Sequence, residues 1–121
     1  VIVQIDHASA VPIFEQLRQQ FVRLIASGQL TTGDLLPPMR HLASDLDIAR
    51  GTVSKVYEAL VRDGYVETNG RHGTMVLAQA DPTVTQGDLA AAADTVAVVA
   101  TQLGLDRPAA HRALDEAFAR L

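Results

Sequence analysis

Apolar positions along the 121-residue chain recur at helical spacing in five stretches, and at strand-like spacing in one short region between the third and fourth. Ile13, Leu17, Phe21, Leu24 and Ile25 form the first stripe, on a helix expected to start at Pro12 with Glu15 in its first turn and to end at Gly28. Met39, Leu42, Ala43 and Leu46 form the second, opened by Pro38. Val53, Val56, Tyr57 and Leu60 form the third, ending at Gly64. Only Asp47-Ile48-Ala49 separates the second and third stretches, which forces a direct corner. Such a corner favours a left-handed backbone, and Asp is one of the few residues besides Gly that tolerates it.

The connections are equally readable. Thr31-Thr32-Gly33-Asp34 is a turn signal, and Leu35-Leu36 before Pro37 is expected to be a two- or three-residue edge strand. After Gly64, Tyr65 to Thr68 and Thr74 to Leu77 flank the Gly-rich Asn69-Gly70-Arg71-His72-Gly73, which predicts a hairpin. Val1 to Ala10 read as an extended arm. The order helix, strand, helix, helix, hairpin is that of a winged helix-turn-helix, assigned to residues 1–78.

Residues 79–121 differ in character. Asp81-Pro82 is a cap-and-start signal, with Thr83 and Gln86 at capping-box spacing as an alternative start. Leu89, Ala92, Val96, Val99 and Leu103 then step by three and four residues, a heptad-like seam on a helix stopped by Gly104. Asp106 caps a last helix with Pro108 in its first turn and Leu114, Ala117, Phe118 and Leu121 on its apolar face. The fold class expected is therefore mainly α with a small β-hairpin, a winged helix-turn-helix followed by a C-terminal helical hairpin. With its seam exposed, so short a hairpin is expected to pair with a second copy, with Leu114 and Phe118 joining the seam in a homodimer.

Charge changes the picture by its distribution. The net charge is −4, yet seven basic residues balance seven acidic ones over residues 12–78, while three face six from Gln79 onward. Arg40, Arg50, Lys55, Arg71 and His72 can thus share one basic face on a balanced domain. No cysteine is present, no apolar run nears the roughly 18 residues of a membrane span, and the start lacks the form of a signal peptide. A cytoplasmic setting without membrane association is expected. No nucleophile–His–acid order and no phosphate loop occurs, so no enzyme and no cofactor is expected. His41/Asp45 and His111/Asp115 have metal-ligand spacing on helices, a spacing common among surface residues, and no metal site is assigned.

The run Pro12-Ile13-Phe14-Glu15-Gln16-Leu17, Ser27-Gly28, Gly33-Asp34, Leu36-Pro37, Arg40, Leu42-Ala43, Arg50, Thr52-Val53, Tyr57, Leu60, Gly64 and Gly73-Thr74 resembles the GntR family of bacterial transcription regulators. The Thr52–Leu60 wording and the short helical tail look most like the YtrA-like subfamily. The resemblance implies double-stranded DNA as partner, with contacts from Arg40, from Arg50, Gly51, Thr52, Ser54 and Lys55 at the start of the recognition helix, and from Arg71, His72 and Gly73 at the wing tip. It implies a homodimeric regulator, repressor-like, on a palindromic operator. Three positions depart from the family pattern: Met39 where Glu is usual, Ala49 where a capping Ser or Thr is usual, and Gly51 in place of a polar residue. Two other readings remain open at this point. One is a sensor gated by a small-molecule effector in a small pocket between tail and winged helix, and the other is a winged helix used only for protein assembly.

Overall fold

In the computed structural model, which describes residues 3–121, the core is assembled from three helices and a hairpin. Val1 and Ile2 of the expected arm lie outside the described residues. Helix α1 (Ile13–Ala26) carries Leu17, Phe21 and Ile25 into the centre with no exposed surface. Ala26 is buried beside them, whereas Ile13 and Leu24, expected on the same stripe, are only half-buried. They stand at the margins of an arc whose centre line runs through residues 17, 21 and 25. Pro12 is the N-cap and not the first helical residue, so its carbonyl still takes the Gln16 N–H at 3.0 Å.

The arm docks along α1 through a pair of glutamines one helical turn apart. The Gln20 side-chain amide accepts from the Gln4 N–H at 2.9 Å and donates to the Gln4 carbonyl; Gln16 does the same with Asp6. Residues two apart on an extended chain and four apart on a helix advance by nearly the same distance, about 6–7 Å. Val3 and Ile5 meanwhile pack against the core.

Helices α2 (Met39–Leu46) and α3 (Arg50–Arg62) are joined by Asp47, Ile48 and Ala49, as expected. Asp47 has φ 54° and ψ 52°, the left-handed corner that the spacing demanded, and it is the one non-glycine residue with positive φ among those described. Leu42 and Ala43 of α2 and Val53, Val56, Tyr57 and Leu60 of α3 are buried together with the α1 stripe. Burying aliphatic and aromatic side chains of this size contributes about 1.5–3 kcal/mol each. Phe21 and Tyr57 meet edge to face, with centroids 5.8 Å apart and planes at 84°.

Strands β1 (Val66–Thr68) and β2 (Thr74–Val76) pair antiparallel with Val66 opposite Val76 and Thr68 opposite Thr74. Their connection is a closed 3₁₀ turn (Gly70–His72) in which Asn69 N–H donates to Gly73 O at 2.8 Å and His72 N–H to Asn69 O at 3.0 Å. Gly73, at φ 86° and ψ −160°, takes a backbone conformation that a side chain would strain. The expected Leu35–Leu36 edge strand is reduced to a single bridge, Leu35 opposite Met75. Leu36 N–H donates to Thr74 O at 2.8 Å, but Pro37 and Pro38 follow, and neither offers an N–H to extend the ladder.

The chain forms two compact units, one up to Thr85 and one from Gln86 to Leu121. The first closes with α4 (Pro82–Thr85), where the Asp81 carboxylate accepts from both the N–H and the hydroxyl of Thr83, which holds its pKa below the usual range. The second is a helical hairpin of α5 (Asp88–Gln102) and α6 (Arg107–Ala119), with Asp106 capping α6 by accepting from Ala109 N–H. The single helix expected from Asp81 to Gly104 is therefore broken. Gly87, at φ 91°, leaves the right-handed helical region and becomes the N-cap of α5.

Candidate nucleic-acid interface

The first unit presents an open groove of about 820 Å³ between the start of α2, the start of α3 and the wing. Arg40, His41, Arg50, Arg71, His72 and Gly73 all line it. Helix α2 supplies the first two because two prolines end the preceding extended segment and fix where the helix begins. Helix α3 supplies Arg50 as its first residue. The 3₁₀ turn supplies Arg71 and His72 at the far wall. These residues come from three separate stretches of sequence, and the fold alone makes them neighbours.

The groove and its flank are exposed and electrostatically uncommitted. Arg40, Arg50, Lys55 and Arg71 are exposed, and among the described residues none of them is paired with a carboxylate. Arg18 by contrast is bound to Glu15 on α1, which lowers the Glu15 pKa through the guanidinium hydrogen bond. Gly51, Thr52, Ser54 and Lys55 do not line the groove. They lie on the outer part of the same helix, Gly51 and Lys55 exposed, Thr52 and Ser54 half-buried. A Cβ at Gly51 would meet nothing within 4 Å, so the surface there is open.

Ala49 is the N-cap of α3, with φ −66° and ψ 136° and no side-chain hydrogen bond. The Thr52 N–H turns back to the Ala49 carbonyl at 3.0 Å. The helix therefore begins with unshared N–H donors beside Arg50, a setting suited to a phosphate oxygen.

His41 is the groove residue that sequence reasoning missed. In the sequence its evident companion is Asp45, four residues on, at the spacing of a metal pair. Its usable signal was its place beside Arg40 in the first turn of a helix started by two prolines. Among the described residues no group of three or more His, Cys, Asp or Glu is placed to hold a metal, and no helix is long and apolar enough to cross a membrane.

In the second unit the seam residues divide. Leu89, Ala92, Val96 and Leu114 line one apolar groove of about 480 Å³ along the α5–α6 hairpin. Val99, Leu103 and Phe118 do not line it; all three are exposed, Phe118 by 71%. None of the residues of α5 or α6 is buried.

Three packed helices with the third displayed beside a two-stranded wing define a winged helix-turn-helix, a DNA-reading class. Residues 13–76 match the family described as bacterial regulatory proteins, gntR family. The HTH-type transcriptional regulator Rv1152 of Mycobacterium tuberculosis is 38% identical over 112 residues, 93% of this chain and 90% of its own. The HTH-type transcriptional repressor YtrA of Bacillus subtilis is 39% identical over 87 residues, 72% of this chain and 67% of its own. Among solved structures, YtrA from Sulfolobus acidocaldarius, a GntR-family transcription factor, superposes with a TM-score of 0.60 at 34% identity, covering 78% of this chain and 99% of that one. The chain belongs to the GntR family, with homology to its YtrA subfamily. It is a sequence-specific DNA-binding transcriptional regulator.

Proposed function

We propose that the chain acts as a homodimeric repressor on a two-fold symmetric operator. In this reading the winged helix of residues 1–78 reads DNA and the helical tail of residues 79–121 joins two subunits. Each α3 enters a major groove, the half-sites lying about one helical turn, roughly 34–36 Å, apart or a multiple of it. Arg50 forks onto a guanine edge, while Arg40, Thr52, Ser54 and Lys55 bind phosphates or base edges and Gly51 permits close approach. Arg71, His72 and Gly73 follow the adjacent backbone or minor groove.

The observation that carries the reading is the convergence of Arg40, Arg50, Arg71 and His72 on one groove with no carboxylate pairing the arginines among the described residues. A purely assembling winged helix has no need for it. The pairing role rests on the exposed seam. Leu89 is 84% exposed and Leu103 68%, on a hairpin that buries none of its own residues. An apolar surface of that kind favours a self-complementary contact. Repression is favoured because the Bacillus subtilis relative is a repressor.

Selection of bound DNA from a random pool supplies the operator and its half-site spacing. Gel shifts on that operator then test the interface. Arg50→Ala is expected to weaken binding by about 1–3 kcal/mol without unfolding the protein. Unchanged affinity would remove Arg50 from the interface.

A further inference from the structure

The dipeptide Leu36-Pro37 joins all three parts of the interface. Leu36 N–H donates to Thr74 O of β2 at 2.8 Å, tying the segment to the wing. The Pro37 carbonyl accepts from the Tyr57 hydroxyl at 2.6 Å, tying it to α3. The next residue, Pro38, is the N-cap of α2 and holds Leu42 N–H at 3.0 Å. Arg40 follows two residues later, in the first turn. With no N–H on Pro37 or Pro38, this segment has few ways to be held in place. The Tyr57 hydroxyl supplies one of them, and Tyr57 and Pro37 both border the groove that Arg40, Arg50 and Arg71 line.

We propose that Tyr57 is a positioning residue for DNA recognition, its hydroxyl holding the Pro37 carbonyl so that α2 begins where Arg40 meets the DNA alongside the recognition helix. The proposal rests on the DNA-contact reading above and assigns Tyr57 a part beyond core packing. Its ring is already anchored edge to face on Phe21, so the direction of the hydroxyl is set by the core. Burial also pushes the phenol pKa well above its ordinary value, so the group stays a donor at any ordinary pH. Losing the bond leaves the ring packing intact while freeing the start of α2. An arginine contact placed by one end of a short helix is sensitive to that freedom, because misplacement of a charged, geometry-dependent donor forfeits its bond.

The test is a double-mutant cycle of Tyr57→Phe and Arg40→Ala on the selected operator, with Arg50→Ala measured alongside and global stability followed by urea unfolding. Tyr57→Phe is expected to fold and to bind about five- to tenfold more weakly at concentrations where it is fully folded. Arg40→Ala should then cost at least threefold less in the Tyr57→Phe background than in the wild type. Hydrogen exchange of the unbound protein should show the Leu42 amide opening faster in Tyr57→Phe, with the α1 amides unchanged. Wild-type affinity in Tyr57→Phe, or losses that simply multiply in the double variant, would overturn the proposal. So would an Arg40→Ala variant with normal affinity, in which case a weakened Arg50→Ala shows that the interface itself stands. If Arg50→Ala also binds normally, the interface reading has failed and not Tyr57's part alone.

Discussion

The uncapped start of the recognition helix allows stability and DNA affinity to be separated at one residue. Ala49 has the extended backbone of an N-cap but no side-chain acceptor, and it is exposed, so Ser fits without repacking. A new N-cap side chain is worth about 0.5–2 kcal/mol in general. Here the Thr52 N–H already has the Ala49 carbonyl, which leaves chiefly the Gly51 N–H to be satisfied. That donor is otherwise hydrated, and the gain falls in the lower half of the range, about 0.5–1 kcal/mol. For a unit of this size, such a gain raises the Tm by roughly 2–8 °C. Ala49→Asp stabilises at least as much, because its charge faces the positive end of the helix, adding about 0.3–1 kcal/mol at low salt. The two variants should part on DNA. Ser is expected to keep operator affinity within about twofold, while Asp places a negative charge beside the phosphates and weakens binding, most strongly at low salt. Thermal melts and gel shifts on the same preparations read both quantities. A Ser variant that melts at the wild-type temperature would refute the capping account, and an Asp variant with undiminished affinity would move the start of α3 away from the DNA.

Lys55→Ala should reduce the slope of log affinity against log salt by about 1, as expected for one lost phosphate contact, while an unchanged slope places Lys55 off the backbone. Val96→Asp should convert the proposed dimer to monomer by putting a charge in the apolar α5–α6 groove, and sedimentation still reporting a dimer would exclude that seam. Alkaline unfolding should report on Tyr57. Its folded pKa is raised above the ordinary 10.0, so its contribution is fully present below that pH and is lost as pH rises and the unfolded phenol ionises. Stability should fall by about 1.4 kcal/mol per pH unit from this group above pH 10, and urea titrations of Tyr57→Phe at pH 9 and 11 should lack that component.

Most of the DNA-reading unit was legible because its local signals agree. The α2 and α3 stripes, the three-residue corner with Asp47, and the glycines of the wing each name one conformation. Leu35-Leu36 misled because β-forming residues say nothing about whether the following residues can pair, and two prolines ended the ladder. The break at Gly87 was hidden by its surroundings. An alanine-rich helix tolerates one glycine at a cost of about 1 kcal/mol, so periodicity carried the helix through it. The groove could not be read from spacing at all. Arg40, Arg50 and Arg71 lie in three elements, and only the return of the hairpin beside α2 makes them neighbours. His41 was lost for that reason, since on its own helix its nearest chemical companion is Asp45.

The closed turn at the tip of the wing bears on the entropy of binding. Asn69 to Gly73 are bonded to one another through the backbone before any DNA arrives. Fixing a free loop costs about 1–2 kcal/mol per residue, and in this chain that cost is met during folding. In the proposed complex only the side chains of Arg71 and His72 would remain to be ordered, at about 0.5–1.5 kcal/mol each. In the proposed complex the wing would meet the duplex as a rigid probe with two flexible ends, so that weak individual contacts at its tip could still add to affinity.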